Sequence, residues 1–342
     1  MPATTMPSQT ESGMLLLNST SRFTIIRKAP PGIDDTTMLR TWLTDRFDLG
    51  LPLISAPMGG ASDGRFAAEV CRLGALGMVA AGTRTTPEYI RQETEMLAAH
   101  HGAWGVGLLA WVVEQKPELI EAVETLAPPL VSVSYGNYAS YIPRLHDVGS
   151  TVTTQVNSLA EALTAAAAGV DFLIARGGEG GGHGRNEMAT LPLLQELLEN
   201  IDLPVVAAGG IATGRGLAAV LAAGAAGAWV GSAFLACEET AWPDGSKKRV
   251  VAAGDGDTIY TTSFDVGLGL DWPPGFGGRA LANDYSDRWH GREQELAGSP
   301  SPPVGEEAPI WAGQGVSLVT RLQTVADVIA EFQEAENLLR RW

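Results

Sequence analysis

Residues 171–185 read DFLIARGGEGGGHGR, the stretch of the chain that points most directly to its fold. A short apolar run, Phe172–Ala175, passes directly into six glycines within eight residues. Such a run is typical of a buried strand, and glycines just after a strand allow positive φ and close approach to a ligand. The pattern predicts that His183 lies on a loop at the carboxyl end of a strand, where α/β folds carry their chemistry. The alternative is a variable surface loop with a stray histidine.

Outward from this stretch, apolar runs alternate with helical patterns along most of the chain. Eight strands are predicted, at Leu51–Ala56, Leu76–Ala80, Trp104–Leu109, Leu130–Ser134, Thr151–Val156, Phe172–Ala175, Val205–Ala208 and Ala228–Gly231. The intervening lengths suit βαβ crossovers, which produce a parallel sheet. Eight such units close into an α/β fold of the (β/α)8 TIM barrel type, whereas an open sheet usually has fewer. A short capping helix at 34–48 precedes the first strand, and the last helix is predicted at 318–340.

Residues 241–309, between the last strand and the last helix, break this rhythm. They contain several Gly/Pro turns and three tryptophans, and residues 280–296 have a helical pattern. Segments inserted at this face of a barrel commonly form lids over the site, the alternative being a disordered surface loop. We therefore predict a disordered N-terminus at 1–20, a barrel formed by 21–240 and 310–342, and an inserted lid subdomain at 241–309.

Composition narrows the classes of partner. The 342 residues carry a formal charge of −16, which argues against nucleic acid or an anionic membrane surface as the main partner. No apolar run approaches the roughly 20 residues of a membrane helix, and the N-terminus lacks a signal-peptide pattern. Cys71 and Cys237 lie far apart without metal-type spacing. The prediction is a cytoplasmic enzyme of a small-molecule substrate, with monomer and homodimer both left open.

Four short segments follow predicted strands and should meet at one rim of the barrel. They are Ala56-Pro57-Met58, Gly181-Gly182-His183, Gly209-Gly210 and Gly231-Ser232. Glycines after the seventh and eighth strands predict a phosphate site, because many barrels hold a phosphate there. A neutral imidazole suits proton abstraction near pH 7. A flat ligand held by its phosphate in a barrel mouth points to FMN, while no dinucleotide or metal motif is present.

Five motifs together resemble the nitronate monooxygenase family. They read APMGGAS at 56–62, GGEGGGHG at 177–184, VVAAGGIATGRG at 205–216, WVGSAFL at 229–235 and WAGQGVSLV at 311–319. The resemblance implies an FMN-dependent barrel with O2 as co-substrate. It implies that Ala56, Pro57, Met58, Gly181 and Gly182 line the flavin, that Gly209, Gly210, Gly231 and Ser232 hold its phosphate, and that Gln314 and Gly315 close the site. His183 matches the catalytic histidine, the base that takes the acidic α-proton of a nitroalkane or nitronate-type substrate.

Two positions depart from the family pattern. Gly107 stands where the family usually has an asparagine that contacts flavin, and Arg176 stands where it has glutamine. Arg176 would then lie beside the flavin pyrimidine, bind an acidic substrate or pair with Glu179. Two other functions stay open: an NAD(P)H-dependent FMN reductase of enoyl thioesters or quinones, which the same superfamily contains, and a divergent tailoring oxidoreductase or ligand-binding barrel.

Overall fold

The computed structural model describes residues 39–98, 102–299 and 301–341. The predicted disordered segment 1–20 lies outside these residues, as does the start of the predicted capping helix. The strands are β1 Leu53–Ser55, β2 Gly77–Ala81, β3 Trp104–Leu109, β4 Leu130–Ser134, β5 Thr151–Val156, β6 Phe172–Arg176, β7 Gly182–Gly184, β8 Val205–Ala208, β9 Gly227–Val230, β10 Thr258–Thr261 and β11 Gly277–Leu281. All eight predicted barrel strands are present, with ends that differ by two residues or fewer.

The helices alternate with these strands around the outside of the sheet. They are α1 Trp42–Phe47, α2 Gly64–Arg72, α3 Pro87–Ala98, α4 Ala110–Gln115, α5 Glu118–Leu126, α6 Tyr141–Asp147, α7 Leu159–Ala168, α8 Thr190–Asn200, α9 Gly214–Ala222, α10 Asp244–Ala252, α11 Ser263–Leu268, α12 Asp284–Trp289, α13 Glu293–Gly298 and α14 Val325–Leu339. Local chemistry sets several boundaries. The Asp63 carboxylate accepts from the backbone N–H of Phe66 at 2.8 Å and starts α2. Gly169 ends α7 in the left-handed region at φ 95°.

Eight of the strands, all except β7, β10 and β11, form one parallel sheet in the order β1-β9-β8-β6-β5-β4-β3-β2. A parallel bridge between Ile54 and Leu76 joins its two edges, so the sheet closes. This confirms the predicted (β/α)8 barrel. Its interior is filled by side chains such as Met78 and Phe172, and α1 adds Leu43 and Phe47 to the same buried cluster. The described part of α1 therefore has the capping role that the sequence predicts.

The inserted segment contains its own secondary structure. Strands β10 and β11 pair antiparallel, and β11 also pairs with β7, giving a sheet in the order β10-β11-β7. In this register His183 lies opposite Gly278. His183 is thus on a short strand rather than on the predicted loop, because the insertion supplies hydrogen-bonding partners for the backbone around it. Nothing in the local sequence reveals a partner strand nearly a hundred residues away.

Two predicted helices begin later than expected. The pattern at 280–296 splits, since 277–281 is strand and α12 begins only after Asn283, whose side chain caps it. The last helix begins at Val325 instead of near 318, because Thr324 and Asp327 form a capping box there. Residues 314–318 form a 3-10 turn. Among the described helices, none combines the length and apolar character needed to span a bilayer.

Candidate functional site

A cavity of about 900 Å³ opens at the carboxyl ends of the barrel strands. This volume lies within the roughly 300–1,000 Å³ of sites for small molecules and cofactors. The structure brings most of the predicted site residues to its wall: Ala56, Pro57, Met58, Arg176, Gly181, Gly182, His183, Gly209, Gly210, Gly231, Ser232 and Gly315. They come from four separate strand ends, as a site at this face of a barrel requires.

Gln314 is the predicted site residue that the structure does not bring to the cavity wall. Its side chain is exposed, and its backbone N–H donates to the carbonyl oxygen of Glu179 at 2.9 Å. The neighbouring Gly313 N–H donates to the Ser232 hydroxyl at 2.8 Å. A role of Gln314 in closing the cofactor site therefore stays a prediction, since the structure shows this segment held against the glycine-rich loop by its backbone.

One end of the cavity is built mainly from backbone. Gly209 and Gly210 adopt φ values of 112° and 69°, in the left-handed region that favours glycine. Within the described part of the chain, neither of their N–H groups has a hydrogen-bond partner. The amino terminus of α9, capped by Thr213, follows directly. Free N–H groups beside a helix amino terminus suit an anion, so these residues fit a phosphate group.

The departure at Gly107 has a local explanation. A Cβ atom placed on Gly107 would collide with the ring of Pro57, which follows the first strand. Both residues line the cavity. Pro57 thus occupies the space that a larger side chain at position 107 would need, and glycine is the residue that fits.

Arg176 is buried, with 3% of its surface exposed, in the centre of the glycine-rich loop. Its guanidinium donates to the carbonyl oxygens of Gly180 at 2.7 Å, Gly182 at 2.8 Å and Arg185 at 3.1 Å. Burial lowers the pKa of Arg176 from its usual value. Among the described residues it has no ion-pair partner at contact distance, and the Glu179 carboxylate instead accepts from the N–H and hydroxyl of Thr190. The alternative in which Arg176 pairs with Glu179 is therefore wrong.

The opposite end of the cavity is built from side chains around His183. Its Nε2 lies 2.9 Å from Oδ1 of Asp265, on α11 of the insertion. The imidazole stacks on the Trp272 ring, with 3.5 Å between centroids and 5° between planes. Trp311 lies 4.5 Å away at a tilt. The Tyr135 hydroxyl donates to the backbone carbonyl of His183 at 2.8 Å. The ring and its backbone are therefore both held in place.

Asp265, Trp272 and Tyr135 were not predicted as site residues. Trp272 begins the segment WPPGFGG at 272–278. The aromatic and turn-forming residues of this segment are the signal in the sequence that could have indicated a contact with the site. Tyr135 follows β4 at φ 65°, unusual for a residue other than glycine, and burial raises its pKa to about 12. Asp265 had no local indication, since only the pairing of β11 with β7 brings the insertion onto His183.

A second buried arginine holds the glycine-rich loop from the insertion. Arg279 on β11 donates to the carbonyl oxygen of Gly178 at 2.9 Å and to Oδ1 of Asn186 at 2.7 Å. Burial also lowers the pKa of Arg279. The loop between β6 and α8 is thus fixed from its own side by Arg176 and from the insertion by Arg279.

Comparison with known proteins agrees with this geometry. Residues 108–334 match the family model described as nitronate monooxygenase. A Metarhizium robertsii protein, "Nitronate monooxygenase npaC", is 31% identical over 82% of this chain and 90% of its own length. FabK from Thermotoga maritima superposes with a TM-score of 0.78, at 27% identity over 89% of this chain and 98% of that chain.

A further relative bears a different name. The "(3aS,4S,5R,7aS)-5-hydroxy-7a-methyl-1-oxo-octahydro-1H-indene-4-carboxyl-CoA dehydrogenase" of Mycobacterium tuberculosis is 33% identical over 66% of this chain. The chain spans 64% of the length of that dehydrogenase. The barrel, the glycine-rich cavity and the family match together lead to one conclusion: the chain belongs to the nitronate monooxygenase family of flavin oxidoreductases.

Proposed function

We propose that the chain is an FMN-dependent oxidoreductase that oxidises a nitroalkane or nitronate-type substrate with O2, with His183 as the base. The observation that carries this proposal is the position of His183 on the cavity wall, with Nε2 held by Asp265. Among the described residues, Nδ1 has no hydrogen-bond partner. A base must be able to reach the proton that it removes, and Nδ1 is the ring nitrogen that Asp265 leaves available for this. Free thiols at Cys71 and Cys237 support the cytoplasm as its location.

The residues present fit FMN. The free N–H groups of Gly209 and Gly210 would hold its phosphate, and Ser232 and Gly231 line the same part of the cavity. Met58 and Pro57 supply apolar surface for a flat ring system. When bound, FMN supplies the redox chemistry, and the barrel supplies position and polarity.

The chain's own residues would remove the α-proton of the substrate and stabilise negative charge in the cavity. His183 accepts the α-proton at Nδ1, and the electron pair of the broken C–H bond remains on the substrate. The rings of Trp272 and Trp311 cover the imidazole and limit the access of water. The unpaired charge of Arg176, in the loop that carries His183, favours an anionic ligand in the cavity.

The test combines spectroscopy with turnover. Purified protein should be yellow and should release FMN on denaturation. Oxygen consumption with 3-nitropropionate, a nitroalkane that still carries its α-proton, should fall by about 10²–10⁴-fold in His183→Ala, with FMN still bound. His290→Ala, which changes an exposed histidine of the insertion, is the matched control. Unchanged turnover in His183→Ala would contradict the role of the base.

A second function is favoured by the mouth of the cavity. Leu268, Leu270 and Val304 make part of this mouth apolar, and the relative named as a carboxyl-CoA dehydrogenase points to a thioester substrate. Two candidate reactions then remain, and anaerobic mixing with NADH separates them. Rapid bleaching of the flavin, reversed by an enoyl thioester, supports the reductase of thioesters. No bleaching, together with oxygen consumption on a nitronate, supports the oxidase.

A further inference from the structure

The insertion places a buried acid, Asp265, against His183. Asp265 lies on α11, is only 3% exposed, and reaches Nε2 of His183 across 82 residues of sequence. Its other oxygen, Oδ2, is buried and has no hydrogen-bond partner among the described residues. A buried carboxylate oxygen without a partner is costly, so its presence calls for a physical reason.

The contacts of Asp265 determine which nitrogen of His183 is free. An ionised carboxylate can only accept hydrogen bonds, so Nε2 carries the proton in the neutral imidazole. Nδ1 then has a lone pair. A flip of the ring would place a carbon atom where Nε2 now meets Asp265 and would lose that hydrogen bond, while the stack on Trp272 fixes the plane of the ring. The ring is therefore held in one tautomer and one orientation.

The burial of Asp265 also bears on the charge that forms on His183. Within the described ranges, Asp265 has no ion-pair partner besides His183. Its negative charge is therefore compensated only when the imidazole gains a second proton. In the buried environment around the pair, this arrangement stabilises the imidazolium that forms when the base takes a proton.

We propose that Asp265 is a positioning residue, which fixes the tautomer of His183 so that Nδ1 is the base and stabilises the resulting imidazolium. This inference rests on the proposed function in assigning His183 as the base. The proton moves from the substrate carbon to Nδ1, and the electron pair of that C–H bond stays on the substrate. Asp265 keeps its charge throughout and does not touch the substrate.

The test uses the FMN-loaded protein labelled with ¹⁵N at its five histidines. The resonances of His183 are assigned by their loss in His183→Ala. In the wild type they should show a protonated Nε2 and an unprotonated Nδ1. Asp265→Ala should shift the population towards the other tautomer and lower turnover by about 10²–10⁴-fold, with FMN still bound.

Two more variants complete the design. Asp265→Asn keeps the size of the side chain and removes its charge, so it should also lower turnover. It replaces Asp265→Ala in the test if that variant fails to fold. Asp255→Asn, an exposed acid of the same insertion, should behave as wild type. A protonated Nδ1 in the wild type, or wild-type turnover in a folded Asp265 variant, would overturn the proposal. The tautomer is read without substrate, so this result is independent of whether His183→Ala abolishes the proposed reaction.

Discussion

The two ends of the cavity are built in different ways. At one end, the glycine end, Gly209 and Gly210 present backbone N–H groups from the barrel, near the amino terminus of α9. At the other end, His183 is surrounded by side chains, of which Asp265 and Trp272 come from the insertion. The first end is made by residues close together in sequence, and the second by residues far apart. Binding of the cofactor and removal of the proton should therefore respond to different substitutions.

The largest effect is expected at Arg176, which lies between the two ends. Arg176→Met leaves the carbonyl oxygens of Gly180 and Gly182 without their buried donor, so the free energy of unfolding should fall by about 3–5 kcal/mol. Denaturant unfolding measures this change. Arg65→Met is the control, because Arg65 also donates to backbone carbonyls but is exposed, and its loss should cost less than about 1 kcal/mol. Equal losses would show that Arg176 does not support the loop.

The next largest effect is expected at the glycine end, on the binding of FMN. Gly209→Ala adds a Cβ at φ 112°, 2.7 Å from the Thr190 hydroxyl, so the Kd for FMN should rise on the order of 100-fold. Fluorescence titration of the apoprotein with FMN measures it. Gly82→Ala, also on the cavity wall but with open space around the added Cβ, should leave the Kd unchanged. Turnover per bound FMN should stay near wild type; a large loss would mean that the two ends are coupled.

A smaller effect is expected from removing the ring that covers His183. Trp272→Ala removes the stack, worth about 0.5–1.5 kcal/mol, so turnover should fall by up to about tenfold while the Kd for FMN stays unchanged. Trp272→Phe keeps an aromatic face and should retain most of the activity. Faster turnover in Trp272→Ala would instead indicate that the indole blocks the substrate.

The smallest effect is expected at Tyr135. Tyr135→Phe removes the hydrogen bond to the His183 carbonyl and should lower the free energy of unfolding by about 1 kcal/mol near neutral pH. Because the pKa of Tyr135 is raised from 10.0 to about 12 on folding, the unfolded chain loses this proton first. The contribution of Tyr135 is complete below pH 10 and declines as the pH rises from 10 to 12. Urea unfolding of both proteins across this range measures it, and a constant difference would argue against the raised pKa.

The barrel and the glycine end of the cavity could be predicted from the sequence because both depend on local patterns. Apolar runs of strand length predict the eight barrel strands, β1 to β6, β8 and β9, and Gly209 and Gly231 follow directly from strand ends. His183 was predicted for the same reason. Gln314 follows from the resemblance alone, and the backbone contact of its segment with Glu179 is not revealed by the residue type.

The other end could not be predicted because it depends on long-range pairing. Residues 182–184 form a strand because they pair with β11. In the sequence, Gly277 and Gly278 make the start of β11 look like a turn. Asp265 is one of several acids in the insertion, and nothing local separates it from Asp271 or Asp255. The role proposed for Asp265 rests on its burial and on its contact with His183, which the tertiary fold creates.

The pairing of β7 with β11 has a consequence for engineering. The segment that shapes the apolar mouth of the cavity also supplies the carboxylate and the indole that hold His183. Under the proposed function, substrate preference and the position of the base would therefore change together. Exchanging residues 241–309 with those of another barrel would transplant both properties together, and a graft chosen only for its mouth would leave the histidine unsupported.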